Sequence, residues 1–357
     1  MQKSIEVEYW VIDRNGMLTT PGALAEESEY AEEEFVKPLF ELKTPPCETY
    51  ADLESTFIQQ LDAVLSKADD LDKILVPLGT PINCESIEQW PSDRGEIQRE
   101  VLGTNHDYAK YCAGTHIHFE KRNVTDQLNT LIALDPALAL TSSSSYFQGE
   151  RIANDARAYI YRKKGYENFP HHGKLWDYVD TVAEWERRLD QCFEEFKTAA
   201  IEAGVDEESM HANFAPDNVV WTPIRLRDEM PTVEWRSPDT ALPSQILRLV
   251  KEVDAVMEQI HHTNVNIGDQ TGAVRSDEVT LPEFETVSHH VEKAIHSGLE
   301  SPSTATYLER MGFNVHEYDP ITPRIDEREF ISFDEARDLR CQYGELLRQD
   351  VSNLLQD

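Results

Sequence analysis

Four short stretches carry ionisable residues two apart inside otherwise apolar runs: Glu6 and Glu8, Glu41 and Lys43, His116 and His118, and Thr232, Glu234 and Arg236. In an extended chain a period of two sends each set to one side. If the intervening apolar residues all face one core, the four sets share the opposite surface. Glu6, Glu8, Glu41 and Glu234 then meet there, with His116 and His118 beside them. Carboxylates brought that close repel unless a cation neutralises them, and hard divalent cations prefer oxygen ligands. The pattern points to one or more Mg²⁺ or Mn²⁺ ions. Arg236, Arg225, Arg157 and Arg151 add the opposite charge, in forks that suit phosphate and carboxylate groups. Metal ions and arginines on one sheet face suggest phosphoryl transfer, where catalysis is mostly positioning and charge neutralisation. Taken singly, each motif has a plainer reading: a solvated strand edge, a structural or zinc-binding histidine pair, a cross-strand ion pair.

The elements that must position these residues follow from hydrophobic period. Ile5, Val7, Tyr9 and Val11 alternate with Glu6, Glu8, Trp10 and Ile12, which predicts a strand with one packed face, followed by a turn at Asp13–Gly16. Further strands are expected over Phe35–Lys43, Ile74–Leu78 and Gly114–Glu120, and a hairpin over Asn218–Trp235 around Asp228-Glu229-Met230-Pro231. Leu53, Phe57, Leu61, Val64 and Leu65 have helical spacing behind Thr49 as N-cap. Similar spacing predicts helices over 124–142, broken or restarted at Asp135-Pro136, and through Val182–Phe196, Ile246–Ile260, 285–298 and Phe333–Leu355. The polar stretch 264–284 reads as a loop. Hairpins interleaved with long helices make the class α+β, a mainly antiparallel sheet with helices on one face.

Composition narrows the function. Among 357 residues, Lys+Arg number 33 and Asp+Glu 67, a net charge of −34, while 40% of residues are hydrophobic. A core is affordable, and both nucleic acid and an anionic membrane surface would repel this chain. No apolar run has the length of a signal peptide or a spanning helix, which predicts a cytoplasmic location. Cys47, Cys84, Cys112, Cys192 and Cys341 form no CxxC pair and are expected as free thiols. Acid spread along the whole chain, with Arg outnumbering Lys, suggests a salt-adapted (halophilic) protein whose self-repulsion is screened at molar ionic strength. Neither a P-loop, a GxGxxG turn nor a GxSxG elbow is present.

At the residues that carry the chemistry, the chain resembles the carboxylate–amine ligases of the glutamate–cysteine ligase family, closest to their type-2 branch. Ile5-Glu6-Val7-Glu8-Tyr9-Trp10-Val11 is similar to the family's opening acidic strand, and Phe40-Glu41-Leu42-Lys43-Thr44-Pro45 to its second. Leu78-Gly79-Thr80-Pro81 resembles its G-T-H-P turn, without the histidine. Gly114-Thr115-His116-Ile117-His118 resembles its G-x-H-x-H strand, and Thr232-Val233-Glu234-Trp235-Arg236 its T-x-E-x-R strand. Ser142–Gly149 with Arg157 resembles a serine-rich segment ending in Ser-x-Arg, with Asp155 in place of that last Ser.

The matched blocks run from about residue 4 to 240, ahead of a helical part at 241–357, within one catalytic domain spanning 1–357. The resemblance implies a glutamine-synthetase-like curved antiparallel sheet forming a funnel, with helices on its outer face. It implies ATP-dependent ligation of the glutamate γ-carboxylate to cysteine through a γ-glutamyl phosphate. Glu6, Glu8, Glu41, His116 and Glu234 would hold Mg²⁺ (or Mn²⁺), with Glu34 a possible addition at the mouth. Arg236 and Arg157 would neutralise the transferred phosphoryl group, and His118, Arg225 and Arg151 would contact the nucleotide. Three other readings stay open on the residues alone: a γ-glutamyl ligase for a different amine, an HxH metallohydrolase, and a non-catalytic cation-binding protein. Oligomeric state is not legible.

Overall fold

The computed structural model describes residues 1–228, 230–269, 271–325 and 328–356. Its main sheet has seven strands. They are β1 (Lys3–Asp13), β2 (Ala31–Glu33), β3 (Leu39–Lys43), β4 (Lys73–Val76), β5 (Thr115–Glu120), β6 (Ile224–Arg227) and β7 (Thr232–Trp235). Their order is β2-β3-β1-β5-β7-β6, with β4 also paired to β1, and every pairing is antiparallel. β1 is the central strand, and three partners cover its two edges along its length.

The predicted apolar stripe is the core. Ile5, Val7, Tyr9 and Val11 are fully buried and share one cluster with the helices behind the sheet. Helix α1 (Tyr50–Asp70) contributes Leu53, Phe57, Leu61, Val64 and Leu65, and the Thr49 hydroxyl caps it by accepting the Asp52 N–H at 3.1 Å. Burying side chains of this size contributes about 1.5–3 kcal/mol each. Behind the sheet also lie α3 (Val124–Leu134), α4 (Val182–Glu202), α5 (Pro243–Gln259) and α6 (Phe284–Ser297). Asp135-Pro136 ends α3, and a 3₁₀ segment continues to Leu140.

Three expectations change. Pro38, which has no N–H to give a ladder, divides the expected Phe35–Lys43 strand, so pairing resumes only at Leu39. The stretch 264–284 is not a loop but a small three-stranded sheet of β8 (Asn264–Asp269), β9 (Ala273–Arg275) and β10 (Glu278–Pro282), with β8 and β10 parallel. Val279 and Leu281 anchor it, two apolar positions too few to stand out in a polar stretch. Helix α2 (Asp93–Leu102) carries little amphipathic pattern and escapes the periodicity reading. The expected hairpin is found as β6–β7, though Glu229 in its turn lies outside the described residues, as does Gln270 within the expected loop.

The polar face of the sheet is divided too. Glu6 and Glu8 border an open cavity, but Trp10 and Ile12 on the same side of β1 are fully buried in a second cluster. Helix α7 (Phe333–Leu354) brings Tyr343 into that cluster, and Gly344 sits so close that a Cβ there would lie 2.2 Å from Ile74. The Arg340 guanidinium donates to the carbonyls of Gly16, Pro81 and Asn83 at 2.7–3.0 Å, tying α7 to the turns at that end. Among the described residues, no helix is long and apolar enough to cross a membrane, and all five cysteines are free thiols.

Candidate active site

Strand register assembles the ionisable side chains in cross-strand rows. Glu32, Glu41 and Glu8 stand opposite one another on β2, β3 and β1. Lys43, Glu6 and His116 form the next row, on β3, β1 and β5, and His118, Glu234 and Arg225 another, on β5, β7 and β6. Like charges directly opposite are destabilising in a sheet, so the carboxylate row needs a neutralising partner. Lys43 supplies part of it, 2.8 Å from Glu41 and also paired with Glu32.

Apart from His118, which is fully buried beneath them, these rows floor a cavity of about 390 Å³. Three sets of ligand atoms lie inside 4.8 Å of one another: Glu8, Glu34 and Glu41; Glu6, Glu41 and His116; Glu6, His118 and Glu234. Glu41 and Glu6 each belong to two sets, so the sets form a chain across the sheet. Polar atoms there have room for a further partner. His118 Nε2 and Glu234 Oε2 are buried without a hydrogen bond, and His118 Nε2 lies 3.5 Å from Glu6 Oε2. His116 Nδ1 sits between Glu6 at 3.3 Å and Glu234 at 3.6 Å. Such a donor set fits divalent cations that take oxygen ligands with some imidazole.

Electrostatics point the same way. Burial, then the Glu34 charge, pushes Glu8 up to about 8, although the Gly114 N–H donates to it at 2.6 Å. Burial, then Glu34 and Glu6, holds Glu41 well above the ordinary range, and burial raises Glu34. Glu6 is driven the other way: burial opposes ionisation, but the hydrogen-bonded His116 and the adjacent His118 outweigh it. Glu234 is lowered because Arg236, then the two histidines, overcome its burial. Burial lowers His116 to about 4, which leaves a neutral imidazole able to act as a ligand. Buried carboxyls whose ionisation is opposed in this way, as at Glu8, Glu34 and Glu41, suit a cation that would neutralise them.

The arginines divide by what holds them. Arg236 lies 3.0 Å from Glu234 and is fixed on both sides, because Trp235 and Ser237 both donate to the buried Asp135. Arg225 lines the cavity and is lowered to about 10 by burial, then by Arg236. Arg157 also reaches the cavity, yet its terminal nitrogens donate at 3.0–3.2 Å to the carbonyls of Arg236, Ser237 and Pro238. Its guanidinium fills the space where a Cβ on Gly114 would stand, 2.0 Å away, so that position must be glycine. Asp155 caps the short helix carrying Arg157 by accepting the Ala158 N–H at 2.8 Å; one N-cap residue stands for another where the family motif has Ser.

Arg151 is the expected contact that lies apart. It is exposed on the small hairpin Tyr146–Phe147 with Glu150–Arg151, opposite Tyr146 and beside Glu329, and is not among the residues lining the cavity. In the basic stretch Arg162-Lys163-Lys164, Arg162 pairs with Asp135 at 2.8 Å and Lys163 with Glu292.

Several cavity residues went unnoticed in the sequence. Arg227 lies 3.4 Å from Glu6; the alternation Ile224-Arg225-Leu226-Arg227 carried that signal. Tyr161 and Trp221 stack 4.0 Å apart as one wall, and Arg94, Phe35 and Trp90 border the cavity from α2 and the loops. No spacing rule links those positions.

Comparisons with known proteins bear on the family and the fold. The family model described as glutamate–cysteine ligase family 2 (GCS2) matches residues 10–310. A bifunctional glutathione synthetase from Pasteurella multocida superposes with a TM-score of 0.61 at 14% identity, over 98% of this chain and 52% of that one. The chain thus spans about half the length of that enzyme. A glutamate–cysteine ligase from Francisella tularensis, solved in complex with AMP, gives a TM-score of 0.53 at 13% identity, over 99% of this chain and 91% of the other. No curated protein matches the sequence. At these identities the superpositions speak for the fold.

Proposed function

The chain belongs to glutamate–cysteine ligase family 2, and on that premise we propose that it joins the γ-carboxylate of L-glutamate to the α-amine of L-cysteine, consuming ATP. The observation that carries the proposal is the chain of three ligand sets, one of carboxylates alone and two mixing carboxylates with imidazole, at the cavity floor and just beneath it, bordered by Arg236, Arg225 and Arg227. A carboxylate is a poor acyl donor because oxide is a poor leaving group. Transfer of the ATP γ-phosphoryl group to a glutamate γ-oxygen releases ADP and supplies a better one. The cysteine amine then attacks the acyl carbon, the bond to phosphate breaks, and the amine loses its proton as the amide forms.

Glu6, Glu8, Glu34, Glu41, His116, His118 and Glu234 are the residues that would hold Mg²⁺ or Mn²⁺, whose chemistry is to neutralise charge on phosphate oxygens. In this reading His118 acts as a ligand and not as a phosphate contact, since it is fully buried beneath Glu6. Arg236 faces the transferred phosphoryl group, held at its angle by Glu234 and by the Asp135 anchor of its neighbours. Arg157 positions Arg236 through three backbone carbonyls. Arg225 and Arg227 offer the remaining positive charge at the cavity to substrate phosphate or carboxylate groups.

The test is phosphate release from ATP with glutamate and cysteine supplied singly and together, in molar KCl and in dilute buffer. Release that needs both amino acids is the expected result. Release with glutamate and some other amine would reassign the acceptor, and no release under any pairing would remove the ligase assignment.

A further inference from the structure

Beyond the cavity, a second set of ligand-type side chains lies behind its wall. The loop after the basic stretch runs Gly165–Gly173 and carries Gly165 and Tyr166 into the cavity lining. Its far end brings His171 against α4. There one ligand atom each from His171, Cys192 and Glu195 lies within 4.8 Å of the others. Cys192 and Glu195 are three residues apart on the helix and so project from one face. His171 Nδ1 already meets Glu195 Oε2 at 3.2 Å, while the other Glu195 oxygen takes a hydrogen bond from Gln191 at 2.9 Å.

A buried cysteine is usually a small packed hydrophobe, and Cys192 is only 2% exposed. Two features set this one apart. Its neighbours are an imidazole and a carboxylate that converge on it. Next along the loop, His172 is 1% exposed and neither ring nitrogen makes a hydrogen bond. The Cys192 backbone, Glu195 and His171 all act on that ring, which places it beside the trio, with the rings of Tyr166, Phe169 and Phe196 packed around it. A buried imidazole whose nitrogens are left unbonded is costly unless the site has another occupant.

We propose that His171, Cys192 and Glu195 form a site for a borderline-soft divalent transition metal, zinc being the best fit, distinct from the carboxylate-rich floor of the cavity. Thiolate, imidazole and carboxylate together suit zinc, whereas magnesium avoids sulfur. Tetrahedral zinc places its ligand atoms roughly 3.5 Å apart, and these atoms lie within 4.8 Å of one another, so the trio needs to close by about 1.3 Å at most. Binding displaces the thiol proton to solvent. Three protein ligands leave a fourth position for water or for His172. The metal would pin the loop to α4, and with it Tyr166, whose ring is 5.7 Å from that of His172. The Gly173 N–H, bonded to the Trp221 carbonyl at 2.7 Å, extends the tie to the opposite wall.

The test uses the full chain, stripped with chelator and titrated with Co²⁺ and then with Zn²⁺. The expected result is a near-ultraviolet thiolate-to-cobalt absorption that saturates near one equivalent and is bleached by Zn²⁺. Cys192→Ser should abolish that band, and His171→Ala, a change at an exposed residue, should weaken Co²⁺ binding at least about tenfold. The band should survive Glu41→Gln, which alters only the cavity floor. Absence of a band in the unaltered chain, or a band that persists in Cys192→Ser, overturns the proposal. So does unchanged affinity in His171→Ala. The ligase assay plays no part in this readout, so each reading can fail without the other.

Discussion

The two halves of one strand face differ more than their shared alternation suggests. On β1, Glu6 and Glu8 floor the cavity, while Trp10 and Ile12, next in the same period, are sealed under α7. The pleat aims all four side chains alike; what lies above them decides whether the face is a site or a core. The difference teaches that alternation locates a surface but not its cover. The half left open is the half whose carboxylates would be costly to close over, since burying unpaired charge is among the largest penalties a fold can incur.

Substitution on each half breaks the comparison most directly. Glu41→Gln should lower phosphate release by roughly two to three orders of magnitude, while the thermal midpoint of the metal-free protein holds or rises, because a neutral amide replaces a buried carboxyl whose ionisation the row opposes. Trp10→Ala should do the reverse, costing about 3–5 kcal/mol of stability with activity lost only in proportion to unfolding. Denaturant titration beside the phosphate assay separates the two; a floor variant that unfolds, or a Trp10 variant that stays stable but inactive, would erase the distinction.

The two arginines sharpen it next. Arg236→Ala should reduce acyl-phosphate formation by about a hundredfold in the fraction that stays folded, at some cost in stability because Glu234 loses its buried partner. Arg157→Ala should lower stability and rate together, and Arg157→Lys should not rescue either, because an ammonium cannot span three carbonyls as a planar fork does. A fully active Arg157→Lys protein would make that clamp dispensable.

A smaller effect follows pH. Glu8 rises in the fold from 4.5 to about 8, so the folded state holds its proton more tightly than the unfolded state. That contribution is fully present below pH 4.5 and is lost as pH climbs through about 8. The metal-free protein should therefore weaken over that window, and added Mg²⁺ should flatten the slope. Melting curves with and without the ion check it; a slope indifferent to Mg²⁺ would detach Glu8 from the metal sets. The net charge of −34 adds a slighter and more diffuse term. Ellipticity should rise toward molar KCl, and full ellipticity in dilute buffer would speak against salt adaptation.

The sheet and its ionisable floor were legible because both obey a period of two, and register then placed Glu8 beside Glu41 and His118 beside Glu234. Asp155 in place of Ser looked like a departure, and proves to be an equivalent cap. The walls were not legible. Tyr161, Trp221 and Arg94 converge from separate helices and loops, and tertiary packing alone unites them. Arg157 and Arg236 looked alike as cations; only the carbonyls around Arg157 reveal that it serves its neighbour. Arg151 had the right charge on a hairpin position outside the cavity lining.

The reach of Arg340 back to Gly16 has a consequence for synthesis. Contacts across 324 residues cannot form until residue 340 has left the ribosome. The opening strand must therefore wait, its Trp10 face uncovered and prone to stray pairing. Slow translation near residue 340, or a holding chaperone before it, would be felt first in the yield of native enzyme.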